Sequence, residues 1–359
     1  MSTSTQSTLQ VAPEPSGPVP RRSRLPRFAP LGLYAAGIAV GALLSALTGF
    51  SVALTVIYGA VLGTLAVYVG SRVVEGSRKA SDRLVTALVT TAFAIAMIPL
   101  VSLVYTVLEK GLARFDAAFF TNSMFRVVGE GGGAYHAIFG TLVITAVTAV
   151  ISVPIGLLTA IYLVEYGTGR LKKAITFFVD VMTGIPSIVA GLFAFALFTL
   201  LFGNDVRLGL MGSAALSVLM IPVVVRSCEE VLKLVPNELR EASYALGVPK
   251  WRTIVKVVLP TAVAGLGTGI TLAVARVIGE TAPLLITVGL ITGTNLNPFD
   301  GRMATLPVFA YYQLTQPGTD TQAFLDRAWT AALVLIILVM VLNVVARLIS
   351  RFFAPKTGR

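Results

Sequence analysis

Hydrophobic positions in this chain fall into long uninterrupted runs, separated by short charged clusters, with few of the one-face stripes of a water-soluble domain. Residues 28–71 include no charged residue over 44 positions, and residues 84–108 none over 25. A membrane crossing needs about 20 apolar residues. The first run therefore predicts two helices with a tight turn near Thr48-Gly49, and the second predicts one. Further crossings are predicted over 133–164, with Pro154 as a kink, and over 181–204, 208–225 and 328–346. The apolar character after Pro260 lasts to about Gly293, which is too long for one straight span; that helix must tilt, extend beyond the bilayer or break near Pro283. The expected fold class is an all-α polytopic integral membrane protein with about eight transmembrane helices. The last six, from Leu84 onward, form the core, and the first two are an appendage.

Composition sharpens this picture. Over 359 residues, 55% are hydrophobic and 13% charged, with a mean hydropathy of +0.84, which excludes a water-soluble globule. One cysteine, Cys228, rules out a disulfide framework and is expected to be a small buried thiol at the cytoplasmic end of a span. His136 is the only histidine, so no His/Cys cluster exists to hold a catalytic metal. The net charge of +11 could signal nucleic acid, but its placement argues otherwise. With the spans above, 21 of the 28 basic residues fall on the side of the two termini, six on the other side, and Arg276 lies within a span. This bias orients a multi-pass protein of the plasma membrane with both ends cytoplasmic, and it needs no nucleic acid partner.

Residues 1–30 are rich in Ser, Thr and Pro and hold six of the eighteen prolines, as expected of a disordered cytoplasmic tail. A cleaved signal peptide fits less well, because the apolar run that follows is two spans long. Gly131-Gly132-Gly133 lacks the Lys and Ser/Thr of a phosphate loop and reads as a hinge. The expected layout is a tail at 1–30, two extra helices and a loop at 31–83, a six-helix core at 84–350 and a tail at 351–359.

The stretch 237–285 is the most informative. A polar amphipathic segment carrying Glu238, Arg240 and Glu241 stops at Gly247 and Pro249, resumes around Trp251, and passes through Pro260 into an apolar helix. Pro236 suits a helix start, Gly247 can take the left-handed conformation that ends one, and Pro249 blocks its continuation. A charged elbow is thus joined to a span. The spacing of Glu241, Ala242, Ser243, Gly247, Val257, Leu259 and Pro260 resembles the EAA signature of permease subunits of ATP-binding-cassette importers, with Ser243 in place of the second Ala and Val257 in place of Ile. In that family the loop docks on the ATPase, and small residues at 242 and 243 would allow its close approach. The alternative is an ordinary amphipathic linker. The segments GTL at Gly140, VPIGLLTAIYLVEY at 153–166, GIPSIVAGLF at 184–193, ARVIGETAPLL at 275–285 and ATLPVFAYY at 304–312 resemble the A-type permeases of phosphate-specific importers, over roughly 84–350. A type-1 transmembrane domain is expected at about 134–347.

Arg276 and Glu280 lie one turn apart, and each costs about 2.5–3.5 kcal/mol near the centre of a lipid-facing helix. Arg before Glu is the weaker order for a local pair. The expected substrate path therefore uses Arg276 as a planar fork of donors to phosphate oxygens. Glu280 either holds the arginine or keeps the anion from binding too tightly. The alternative is a structural pair locking this helix to a neighbour.

None of the eight lysines follows a glycine, so no Walker-type phosphate loop occurs and the chain is not expected to be an enzyme. The resemblance implies two copies of an ATPase subunit carrying ATP and Mg, a second, C-type permease subunit, an external phosphate-binding protein received in part by 293–327, and surrounding membrane lipid. No cofactor is expected in this chain. It further implies alternating access, with ATPase closure pulling the elbow. Rival readings are a permease for sulfate or molybdate, a secondary anion transporter, a membrane-embedded hydrolase, for which no Ser-His-Asp set, HExxH or carboxylate pair is found, and a nonconducting scaffold.

Overall fold

The computed structural model describes residues 25–26, 28–47, 49, 51–203 and 206–353; residues 1–24 and 354–359 of the expected tails lie outside them, as does Thr48 of the expected turn. Every regular element among the described residues is helical. Seven helices are long and apolar enough to cross a membrane, or up to eight if one bent pair counts as a single span. The chain divides into two compact units, Met1–Leu103 and Val104–Arg359, with the division inside one long helix.

In the first unit, α1 (Ala29–Leu47) and α2 (Val52–Val74) are joined through Gly49 at φ +95° and pack on a glycine face. A Cβ at Gly37 would stand 2.6 Å from the Gly63 nitrogen, and one at Gly41 2.7 Å from the Gly59 nitrogen. Small residues let two backbones approach this closely, which is how helices gain contact where lipid offers no hydrophobic drive. The α2–α3 corner turns at Gly76, with φ +97°, into α3 (Ser77–Gly111). It is fastened by Glu75, which accepts from the Ser71 hydroxyl at 2.8 Å, the Leu25 amide at 3.0 Å and Arg83 at 3.0 Å. Burial pushes that carboxyl up, but the bonds from Ser71, Leu25 and Arg83 outweigh it and hold the carboxyl below the usual range.

The second unit begins with the end of α3 and a short α4 (Ala117–Thr121), capped by the Asp116 carboxylate on the Phe119 amide at 2.8 Å. Then come α5 (Tyr135–Ile161), ending in a π-turn at Tyr162–Tyr166, α6 (Gly169–Thr183), α7 (Ser187–Phe202) and the central α8 (Gly209–Lys233). The chain continues through α9 (Asn237–Ala245), α10 (Lys250–Thr253), a second π-turn at Ile254–Val258, α11 (Leu259–Ile278), α12 (Ala282–Thr287), α13 (Leu306–Thr315) and α14 (Thr321–Phe353). The core lies along α8, where Met220, Val224 and Cys228 are buried against α5 and α11. Close approaches are glycine-made: Gly156 of α5 meets Val224, while Gly265 and Gly269 of α11 meet Val231 and Ser227. Cys228 is buried, as expected of a structural thiol, and His136 packs edge-on to Phe309 at 5.6 Å.

Three expectations need correction. The crossing expected over 181–204 is not one straight helix: α6 and α7 meet at 106° around Gly184 and Pro186. Proline lacks the N–H that a continuing helix needs and disfavours helical geometry in the residue before it, so α6 stops and α7 starts afresh. At 16 residues α7 spans about 24 Å, less than the roughly 30 Å hydrocarbon core. Second, α8 runs eight residues beyond the expected end at Val225. It can do so because its charges are paired, Arg226 with Asp180 and Glu229, and Glu229 with Lys233 at 2.7 Å. Third, the glycine run expected as a hinge is tied down by two arginines. The carbonyls of Gly129 and Gly131 accept from Arg327 at 2.7 and 3.1 Å, and that of Gly132 from Arg114 at 2.9 Å. The left-handed φ at Gly129, Gly131 and Gly132 turns these carbonyls onto two guanidinium groups. The apolar run after Pro260, by contrast, breaks where expected: α11 ends at Ile278 and α12 starts beside Pro283.

Candidate functional site

The elbow takes the shape its prolines and glycine dictate. Pro236 precedes α9 with φ −58°, Gly247 turns out of it at φ +73°, and the Val248 amide donates back to Ser243 O at 3.2 Å. Pro249 then opens α10. Pro260 stands in the first turn of α11, directly after the π-turn. A proline there removes an N–H from the α ladder, and the wider turn before it accommodates the loss.

Glu241, Ala242 and Gly247 are exposed, Val257 and Leu259 are half-buried and Pro260 is exposed. Around them stand Leu234 and Leu246, each more than 80% exposed, with Trp251 and Tyr244. An apolar group of this kind on an otherwise polar loop is the character of a docking surface. Ser243 departs from the expectation that it offers a small face to another subunit. It is buried, and its hydroxyl bonds that of Thr253 at 2.8 Å, so the position that departs from the EAA pattern fastens α9 to α10.

The segments singled out in the sequence meet in pairs. Gly191, in the GIPSIVAGLF segment at the start of α7, lies against Pro283 of ETAPLL: a Cβ there would be 2.7 Å from Pro283 Cα. Gly140 has no room for a Cβ beside Ala304, and the Thr141 hydroxyl accepts from the Leu306 amide at 2.8 Å, joining the α5 segment to ATLPVFAYY.

Arg276 is exposed, and neither it nor Glu280 forms an ion pair among the described residues. Gly279, at φ −90° and ψ 0°, ends α11 between them, so the helical register that would align a local pair is lost. No Arg276–Glu280 ion pair is present among the described residues. Buried Ala262, Leu266, Gly269, Ala273 and Val277 form one stripe of α11, and exposed Thr261, Thr268, Leu272 and Arg276 form a neighbouring one. Sequence reasoning missed Glu165, paired with Arg240 at 2.8 Å across 75 residues, and Asp180, paired with Arg226. No local spacing marks either pair.

A bundle of apolar helices, a broken helix presenting a free charge and an exposed elbow define a membrane permease. The chain belongs to the inner membrane components of binding-protein-dependent transport systems, whose family model matches residues 152–359. Within that class its relatives are PstA permeases. The phosphate transport system permease protein PstA 1 of Mycobacterium tuberculosis is 49% identical over 285 residues, covering 79% of this chain and 91% of the relative. The PstA of Pasteurella multocida is 36% identical, covering 78% and 97%. A chain of a bacterial alginate ABC transporter shares the fold with TM-score 0.53 and 15% identity, covering 78% of this chain and 97% of that one. A chain of the MetNI methionine ABC transporter, inward facing, gives 0.51 and 21%, covering 62% and 96%.

Proposed function

We propose that this chain is the permease subunit of an ATP-driven importer that moves inorganic phosphate across the cytoplasmic membrane by alternating access. The observation that carries the reading is Arg276, an exposed guanidinium in the last turn of the spanning helix α11, without an ion-pair partner among the described residues. Arginines within membrane helices normally face a bundle interior or a water-filled cavity, so we read this stripe of α11 as facing a second permease subunit and the aqueous path between them. Its fork of donors suits the oxygens of hydrogenphosphate. The names of the PstA relatives support phosphate over sulfate or molybdate. Glu280, free of Arg276, serves to weaken anion binding so that phosphate can leave.

Glu241, Ala242, Gly247, Leu259 and Pro260, with the apolar group around Leu246, form the face that docks an ATPase, and Ser243 stiffens it from within. Two ATPase subunits supply ATP and Mg, a C-type permease completes the path, and an external phosphate-binding protein delivers the anion. The bias of basic residues supports a cytoplasmic position for both termini. Residues 84–350 form the transport core, with the type-1 domain at about 134–347. The test is uptake of radiolabelled phosphate, with sulfate in excess, in cells lacking the chain and restored with wild type or Arg276→Ala. Restoration by wild type alone, insensitive to sulfate, is expected. Abolition of uptake by sulfate would overturn the substrate, and full uptake by the variant would overturn the role of Arg276.

A further inference from the structure

The elbow has a second attachment besides its covalent continuation into α11. Arg240 of α9 and Glu165 in the π-turn that finishes α5 are both nearly buried, their side chains 12% and 5% exposed. Arg240 gives Nε and Nη2 to Glu165 Oε1 at 3.0 and 2.8 Å. Its remaining donors reach the end of α8: Nη2 to Leu232 O at 3.1 Å, and Nη1 to Val235 O at 2.6 Å and Asn237 Oδ1 at 3.2 Å. One guanidinium thus closes the terminal carbonyls of α8, the start of α9 and the end of α5. A second contact follows the same line, with Lys250 Nζ 5.0 Å from the centre of the Tyr166 ring. The Ser243–Thr253 bond makes α9 and α10 one piece, so both contacts load the same body.

A charge pair held in low dielectric is stiff, because separating it leaves two buried charges uncompensated. The π-turn bearing Glu165 is a local interruption of the α ladder, where a helix end can yield. We infer that Arg240 and Glu165 form a second transmission link, carrying displacement of the elbow into α5 in parallel with its covalent passage into α11, and that transport requires both. This rests on the reading of the elbow as the ATPase-docking loop. Arg240 and Glu165 are positioning residues and touch neither phosphate nor nucleotide.

The test uses the whole importer, both permeases with the ATPase and binding protein, in proteoliposomes, with phosphate uptake and ATP hydrolysis measured together. Arg240→Glu and Glu165→Arg should each lower uptake about tenfold or more while ATP hydrolysis stays within about threefold, because a like-charged pair cannot hold the two bodies together. The double reversal should bring uptake back to within about threefold of wild type, the signature of a pairwise interaction. Arg240→Lys, with a point charge and no fork, should fall between. Unchanged uptake in the single reversals overturns the link. So does parallel loss of uptake and hydrolysis without recovery in the double, which would mark a purely structural pair. If the reversals do not assemble, Glu165→Gln and Arg240→Lys carry the same comparison. A wild-type assembly that moves no phosphate would count against the proposed substrate, and the link is then read without substrate. Spin labels at Leu158 and Glu238, in a Cys228→Ser background, should keep their separation when ATP binds in wild type and change it in Arg240→Glu. An unchanged separation in that variant overturns the link.

Discussion

Gly191→Val tests whether the α7–α12 contact sets the position of the broken helix. A Cβ at this glycine would stand 2.7 Å from Pro283 Cα and 3.2 Å from both Pro283 Cβ and its carbonyl oxygen. Two of those three atoms are backbone and the third belongs to a rigid ring, so no side chain can swing away. Overpacking of this kind costs about 1–3 kcal/mol. Valine's helix propensity exceeds glycine's by only a few tenths, roughly 0.3 kcal/mol, which offsets little. The net loss is about 1–3 kcal/mol, and at roughly 2–4 °C per kcal/mol for a unit of this size the melting temperature should fall by several degrees. The matched control is Gly32→Val in α1, where nothing lies within 4 Å of the added Cβ and the change should stay within about 0.5 kcal/mol. Thermal unfolding of the purified permease in detergent, followed by tryptophan fluorescence, gives both shifts. Because Pro283 lies three residues after Glu280, phosphate uptake by Gly191→Val should fall as well. Equal melting temperatures for the two variants would refute the contact.

Other outcomes follow from single interactions. Ser243→Ala restores the small residue of the EAA pattern but removes the bond to Thr253, and should cost about 1 kcal/mol in the same melting assay. Arg327→Met leaves the carbonyls of Gly129 and Gly131 and the Gln313 amide oxygen without their donor; at about 1.5–3 kcal/mol for a charged bond the loss should exceed that of Ser243→Ala, and limited proteolysis should find the 122–134 loop newly cleavable. Arg276→Ala removes no ion pair and should leave melting within about 0.5 kcal/mol of wild type while uptake is lost. Glu75 has a lowered pKa, so its stabilising share is complete above the ordinary carboxylate value and is lost as pH falls through the lowered one. Protection factors of the amides at residues 71–83, corrected for intrinsic exchange at each pH, should therefore fall in acid, and Glu75→Gln should remove most of that pH dependence.

What could be read from the chain alone was whatever its immediate neighbours decide. The spans follow from charge-free runs, because each residue's transfer to lipid is nearly independent of distant partners. The elbow follows from Pro236, Gly247 and Pro249, whose backbone limits act within a turn. The bend between α6 and α7 escaped because counting apolar residues weighs Gly184 and Pro186 as members of a run instead of as a stop and a start. Burial of Ser243 escaped because its partner Thr253 lies beyond a change of chain direction. The glycine run was misread for a related reason: its left-handed residues signal a special backbone, but only the folded chain shows that they aim carbonyls at Arg114 and Arg327. Ion pairs such as Arg240–Glu165 carry no local mark at all.

The contrast among the arginines gives the site its meaning. Arg226, Arg240 and Arg327 are each held by carboxylates or carbonyl oxygens of their own chain, although Nη2 of Arg327 has no partner among the described residues. A fold able to satisfy those three guanidinium groups would meet no obstacle in giving Arg276 a carboxylate, and Glu280 is near enough in sequence to serve. Instead Gly279 ends the helix between them and Arg276 stays on the exposed stripe. Leaving an arginine unpaired in a span is costly, and a pair so simply available would have removed that cost. An exposed Arg276 without an ion-pair partner among the described residues is what the proposed phosphate path requires of α11.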